Sequence, residues 1–153
     1  MTEEKPSNIN TEYCLVNPKI SENNKNPLIL FCDEQKYNAN SLKSLLRRYH
    51  INVDPAYCLF DAVDKLENNF EYKLVISDID LPDGKGLDVV SKIRKVYEGP
   101  LYLISILECD DQELKGKLLE AGANKVYFGD IGKTIDSIIE EIQKLFNSQD
   151  NSK

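Results

Sequence analysis

The stretch 73–79, KLVISDI, constrains this chain more than any other. A continuous apolar run of that length, rich in branched residues, suits a strand buried on both faces. The turn at 80–86, with Pro82, Gly84 and Gly86, stops the strand from continuing. Because the run closes on Asp78, a buried strand delivers a carboxylate to its C-terminal edge. In open parallel α/β sheets ligands bind outside the carboxyl ends of the strands, so Asp78 stands where chemistry is expected.

The rest of the chain repeats that grammar. Leu28, Ile29, Leu30, Phe31 and Cys32 form a second apolar run that also ends in acids, Asp33 and Glu34. A helical pattern over about 38–49 follows, with Leu42, Leu45 and Leu46 at i, i+3 and i+4. Strand, helix and strand make a crossover unit, which implies a right-handed parallel connection. Residues 52–57 read as a weaker strand whose Pro55 suits a sheet edge. Two helical stripes are predicted next, one from Ala62, Val63, Leu66 and Phe70, the other from Leu87, Val90, Ile93 and Tyr97, with Gly99 and Pro100 ending the second. Residues 101–107 are a fourth strand. Asp110 and Glu113 have capping-box spacing for a helix to about Ala121, with Gly122 as its stop. Residues 125–128 are a short fifth strand, and Ile135, Ile138, Ile139, Ile142 and Phe146 form the buried stripe of a last helix. Five strands alternating with five helices predict an α/β, doubly wound parallel sheet.

Length and charge narrow the function classes. With 153 residues, 41% of them hydrophobic, one domain with a real core is expected. That domain spans 27–146, after a polar arm over 1–26 read as flexible and before a polar tail over 147–153 read as frayed. The arm carries one apolar island, Tyr13, Cys14, Leu15 and Val16. A net charge of -7 argues against a nucleic-acid surface, and the adjacent Arg47 and Arg48 read as the wet face of a helix. No apolar stretch reaches the ~18 residues that span a bilayer, and no basic-then-apolar leader opens the chain, so a soluble cytoplasmic protein is expected. Cys14, Cys32, Cys58 and Cys109 form no C-x-x-C pair and read as reduced thiols. The only histidine, His50, has no partner at ligand spacing and reads as a surface or C-cap residue. A metabolic enzyme is unsupported, because no nucleophile and base share a recognisable spacing. Nor does a Gly-rich phosphate loop follow the first strand.

Taken together, the chain over roughly 27–146 resembles the receiver domain of two-component response regulators. The acidic pair Asp33 and Glu34 ends the first strand; Asp78 ends the third, with Pro82 and Gly86 beyond it; Ser105 ends the fourth; Ala121, Gly122 and Ala123 precede the fifth. The resemblance implies a flavodoxin-like sheet in the order 2-1-3-4-5 flanked by five helices. It also implies a stand-alone receiver, phosphorylated on Asp78 by a histidine kinase or phosphotransfer partner with Mg²⁺, signalling by protein–protein interaction as a monomer or weak dimer. Asp33, Glu34, Asp78 and the Asp80 backbone carbonyl are the implied metal ligands, and Ser105 is the switch hydroxyl. Three carboxylates converging at ~4 Å repel by about 4 kcal/mol per pair at an effective dielectric near 20, which a hard cation offsets. Any enzymatic activity implied is limited to assisting the domain's own phosphorylation and dephosphorylation. Downstream binding is expected on the face of the fourth helix, fifth strand and fifth helix.

The chain departs from the family on the signalling route. Where the family has a lysine and then a proline after the fifth strand, this chain has Gly129 and Asp130. Lys125 and Lys133 are the nearest replacements, and absence of the lysine is the preferred reading. Ile106 follows the switch hydroxyl where a small residue is usual, and the stretch from Ser105 to Gly122 is about two residues longer than the family's. The position of the family's mobile aromatic falls on Val126, with Tyr127 beside it on the opposite face. These departures support an alternative, a pseudo-receiver acting as a phosphorylation-independent interaction module.

Overall fold

The computed structural model describes residues 26–105, 111–129 and 131–151. In chain order its elements are β1 (Leu28–Cys32), α1 (Lys36–Arg47), β2 (Asn52–Ala56), α2 (Leu59–Asn68), β3 (Tyr72–Asp78), the two-residue strands β4 (Asp80–Leu81) and β5 (Gly84–Lys85), α3 (Leu87–Arg94), β6 (Leu101–Ser105), α4 (Gln112–Ala121), β7 (Lys125–Phe128) and α5 (Ile131–Asn151). The sheet runs β2-β1-β3-β6-β7 with every pair parallel, while β4 and β5 form a separate antiparallel ladder. With that ladder set aside, this is the five-stranded order 2-1-3-4-5 that the sequence suggested. Pro55 lies on β2, an edge strand whose outer side needs no ladder bonds.

Alternation along the strands divides the core into two layers. Leu30, Cys32, Val75, Leu101, Leu103 and Val126 pack with Leu66, Val90, Ile93 and Leu118 of α2, α3 and α4. Ile29, Phe31, Leu74, Ile76, Tyr102 and Ile104 pack on the other side with Leu42, Leu46, Ile138 and Ile142 of α1 and α5. Central β3 is thereby buried on both faces, which is why its sequence is an unbroken apolar run.

Several boundaries differ from the pattern-based expectation. α1 spans Lys36–Arg47, two residues earlier than predicted, because His50 takes a left-handed backbone at φ 61 and closes the end, its N–H donating to the Arg47 carbonyl at 3.0 Å. The C-cap itself is Arg48, so His50, exposed two residues beyond it, fits the surface reading and not the C-cap one. Phe70 lies beyond α2, which ends where Asn69 turns extended at φ -148, and its ring is 89% exposed rather than part of a buried stripe. In α3 the buried residues are Val89, Val90 and Ile93; Leu87 is exposed, and Tyr97 lies past the helix end. The α4 cap is Asp111, whose side chain accepts the Leu114 N–H at 3.0 Å; Asp110, predicted to cap it, lies outside the described residues. Gly122 does end that helix, at φ 132. α5 continues to Asn151, so the chain does not leave its helix at Phe146. The arm over 1–25, with Cys14, lies outside the described residues, as do Ile106, Cys109 and Asp130. Among the described residues no helix is long and apolar enough to cross a membrane.

Candidate functional site

β1 and β3 are sheet neighbours with Cys32 opposite Ser77, so the next residue on each, Asp33 and Asp78, lies at the same C-terminal edge. Asp33 is only 4% exposed. Its Oδ1 accepts the Gln35 N–H at 2.8 Å and its Oδ2 accepts the Asn38 amide at 3.1 Å, so the start of α1 orients the carboxylate. Burial raises its pKa against those two donors, and the Glu34 charge adds to the rise. Asp78 is half-buried, and Oδ1 accepts the Asp80 N–H at 3.2 Å. Burial lifts its carboxyl to about 6; the Asp80 and Ile79 N–H groups oppose this, while the Asp33 and Asp80 charges reinforce it. No basic group of the described residues is among those main influences.

Glu34, by contrast, is exposed, and among the described residues no group of three or more His, Cys, Asp or Glu side chains is placed to hold a metal ion. The predicted convergence of three carboxylates is therefore reduced to a pair, Asp33 and Asp78. The physical reason is position, since Glu34 follows Asp33 on the exposed turn into α1. The pair still suits a hard divalent cation. Its oxygens are the right donors, and burial raises the proton affinity of both, with the Asp33 charge adding to the rise at Asp78. Mg²⁺ in such sites commonly takes one or two carboxylates and completes its shell with water and phosphate oxygens.

Ser105 ends β6 and is 8% exposed. Ile104 lies opposite Asp78 and its carbonyl accepts the Ile79 N–H at 2.9 Å, so Ser105 begins one residue beyond the level of Asp78 on the adjoining strand. The Ser105 carbonyl in turn accepts the Gly129 N–H at 2.9 Å. Gly129 has φ 116, a backbone that L side chains rarely adopt. Lys125 pairs with Glu141 at 3.6 Å, which occupies one of the two candidate lysines; the Lys133 side chain lies outside the described residues. Val126 pairs with Leu103 and sits buried in the layer of α2, α3 and α4, whereas Tyr127 faces the layer of α1 and α5. No register slip exchanges them.

The turn beyond Asp78 contains a residue that pattern reading passed over. Asp83 accepts the Leu59 and Phe60 N–H groups at 2.7 and 2.9 Å, across more than twenty positions of sequence. The only local hint was an acid in a Pro/Gly turn, which is ordinary.

The family model described as "Response regulator receiver domain" matches residues 29–142. Among solved structures, a two-component response regulator from Clostridium difficile is 24% identical with a TM-score of 0.69, covering 79% of this chain and 96% of that one. The receiver domain of the Francisella response regulator 1452 is 23% identical with a TM-score of 0.69, covering 81% of this chain and 99% of that one. A CheY-like receiver domain protein from Methanospirillum hungatei JF-1 is 22% identical with a TM-score of 0.66, covering 80% and 98%.

Proposed function

The chain belongs to the response regulator receiver family, and on that premise we propose that Asp78 accepts a phosphoryl group from a histidine kinase or phosphotransfer partner, with Mg²⁺. The observation that carries this reading is the Asp33 and Asp78 pair on adjoining strand ends, with Asp78 held near pKa 6. A carboxylate with that proton affinity is ionised at neutral pH and is a stronger nucleophile than an ordinary aspartate. Its oxygen bonds to phosphorus as the bond from phosphorus to the donor's imidazole nitrogen breaks, and that nitrogen keeps the electron pair. Asp33 and Asp78, with the Asp80 carbonyl, are the groups that hold the cation, and the exposed Glu34 is left out of that set. Bound there, Mg²⁺ offsets charge on the transferring phosphoryl group. Ser105 supplies a hydroxyl donor for a phosphoryl oxygen, and the modified domain binds its downstream partner through the face of α4, β7 and α5. Incubation of the intact chain with acetyl phosphate and Mg²⁺ adds one phosphoryl mass, which vanishes in Asp78→Asn. If no donor yields an adduct, the reading fails.

A second reading, a phosphorylation-independent interaction module, draws its support from the residue at position 129. On the reading that Gly129 takes the place of the family's lysine, the phosphoryl charge of about -1.5 to -2 lacks that counter-charge. In this reading Asp78→Asn leaves binding of the downstream partner unchanged, and a clear loss of binding counts against it.

A further inference from the structure

The turn that follows Asp78 is fastened to a helix remote from it in sequence. Leu59 opens α2, and the first N–H groups of a helix have no partner within it. Asp83 takes two of them, one on each carboxylate oxygen, at 2.7 and 2.9 Å. The local cap is weak by comparison, since Cys58 offers only sulfur to the Asp61 N–H, at 3.5 Å. Partial desolvation raises the Asp83 pKa, yet the Leu59 and Phe60 N–H groups outweigh it and hold the carboxyl below its usual range. Packing supports the same attachment independently. A side-chain carbon at position 84 would collide with Leu59 Cδ2, so Gly84 lets the turn lie against α2 without displacing the Leu59 side chain. Leu81, from the same turn, is buried with Leu59 in one core layer.

The other end of the turn is tied to Asp78. The Asp80 N–H donates to Asp78 Oδ1 at 3.2 Å, Asp80 pairs with Lys85 in the β4/β5 ladder, and the Gly86 N–H closes the loop on the Ile79 carbonyl at 2.8 Å. A short, fully bonded path therefore joins the acceptor carboxylate to the first turn of α2. From this juxtaposition we propose that Asp83 is a positioning residue: it holds the 80–86 turn, and with it the Asp80 backbone, against Asp78, and it passes a change of state at Asp78 to Leu59 and Phe60. The use of this path in signalling rests on the phospho-acceptor reading, whereas the path itself does not.

Amide spectra of the intact chain as wild type, Asp78→Asn, Asp83→Ala and the double variant test it. Asp78→Asn shifts the Leu59 and Phe60 amides when Asp83 is present, and that shift disappears in the Asp83→Ala background while the shift at Ile79 remains. A merely structural cap predicts a lower melting temperature with the same Asp78→Asn shift at Leu59 and Phe60 in both backgrounds, and that result overturns the proposal. If Asp83→Ala does not fold, Asp83→Asn takes its place: it keeps one acceptor oxygen, and the shift must weaken at Leu59 or Phe60 for the proposal to stand. A missing phosphoryl adduct with the amide coupling intact refutes the phospho-acceptor reading and upholds this one.

Discussion

At Asp78 the fold carries a charge that it does not neutralise within the described residues. Burial, with the Asp33 and Asp80 charges, raises its pKa from an ordinary 3.8 to about 6. In the unfolded chain the group ionises near its ordinary value, so between about pH 4 and 6 the folded state holds a proton that the unfolded state has released. Its contribution to stability is full below about pH 4 and is lost as pH rises through about 6. A shift of ~2 units corresponds to about 3 kcal/mol for a fully buried group, and solvent screening at this half-buried one reduces it to about 1 kcal/mol. Urea unfolding should therefore find Asp78→Asn more stable than wild type by about 1 kcal/mol near pH 7.5 without divalent cation, and equal to it near pH 3.5. On the proposed reading, saturating Mg²⁺ should narrow the first gap, because it would bind the folded carboxylate pair and not the unfolded chain. Gly129 supports a second prediction at this scale. Only Thr134 Cγ2, at 3.7 Å, would meet a Cβ there, so space is available and the backbone at φ 116 is the obstacle. Gly129→Lys is expected to lower stability by about 1–3 kcal/mol in the same urea assay, from backbone strain alone. Asp33 and Asp78 were legible in the sequence because each closes an apolar run. Asp83 was not, because its partners are set by tertiary register and not by neighbours along the chain.

Among the elements, α3 and α4 are joined through one side chain at the opposite edge of the sheet. Arg94, in the last turn of α3, donates from Nε and Nη2 to the Gly122 carbonyl at 3.0 and 2.7 Å, and from Nη1 to the Tyr97 and Gly99 carbonyls at 3.0 and 2.7 Å. Nη2 also reaches Asn124 Oδ1 at 3.1 Å, the same oxygen that accepts the Leu101 N–H at 2.8 Å. One guanidinium thus satisfies the end of α4, the loop after α3 and the approach to β6. Arg94→Met should lower stability by about 2–4 kcal/mol, since the carbonyls lose charged donors that each contribute about 1.5–3 kcal/mol without being additive. Arg94→Lys recovers little of it, because a point charge cannot span the fork. Denaturant unfolding measures both, and the phosphoryl adduct proposed for Asp78 should be unaffected. Helix existence was readable from apolar spacing, but helix ends were not. Phe70 and Tyr97 continue the 3.6-residue rhythm of their helices, yet the chain has turned by then to reach the next strand. Asp110 and Asp111 offer equivalent capping chemistry one residue apart, which spacing cannot separate.

Across the whole molecule, strand and helix alternation was enough to specify a parallel sheet, since parallel neighbours require crossovers and those crossovers share one hand. The division of the core into two layers follows from the same strands, and β3 belongs to both: Val75 packs toward α2, α3 and α4, while Leu74 and Ile76 pack toward α1 and α5. A layer so shared is expected to unfold together with the other, because losing either face of β3 exposes the strand that holds both. The chain has no tryptophan and eight tyrosines, of which Tyr72 and Tyr97 pack in one layer and Tyr57, Tyr102 and Tyr127 in the other. With Tyr13, Tyr37, Tyr49 and Tyr57 already replaced by Phe, replacing Tyr72 and Tyr97 as well leaves emission from the second layer, and replacing Tyr102 and Tyr127 instead leaves emission from the first. Ile76→Ala should lower stability by about 2–5 kcal/mol in either background, the range for a truncated core isoleucine. The transition should remain single, with both emission signals and far-ultraviolet circular dichroism moving to the same new midpoint. If Ile76→Ala shifts only the signal from the α1 and α5 side, the two layers are separate cooperative units, and β3 does not couple them.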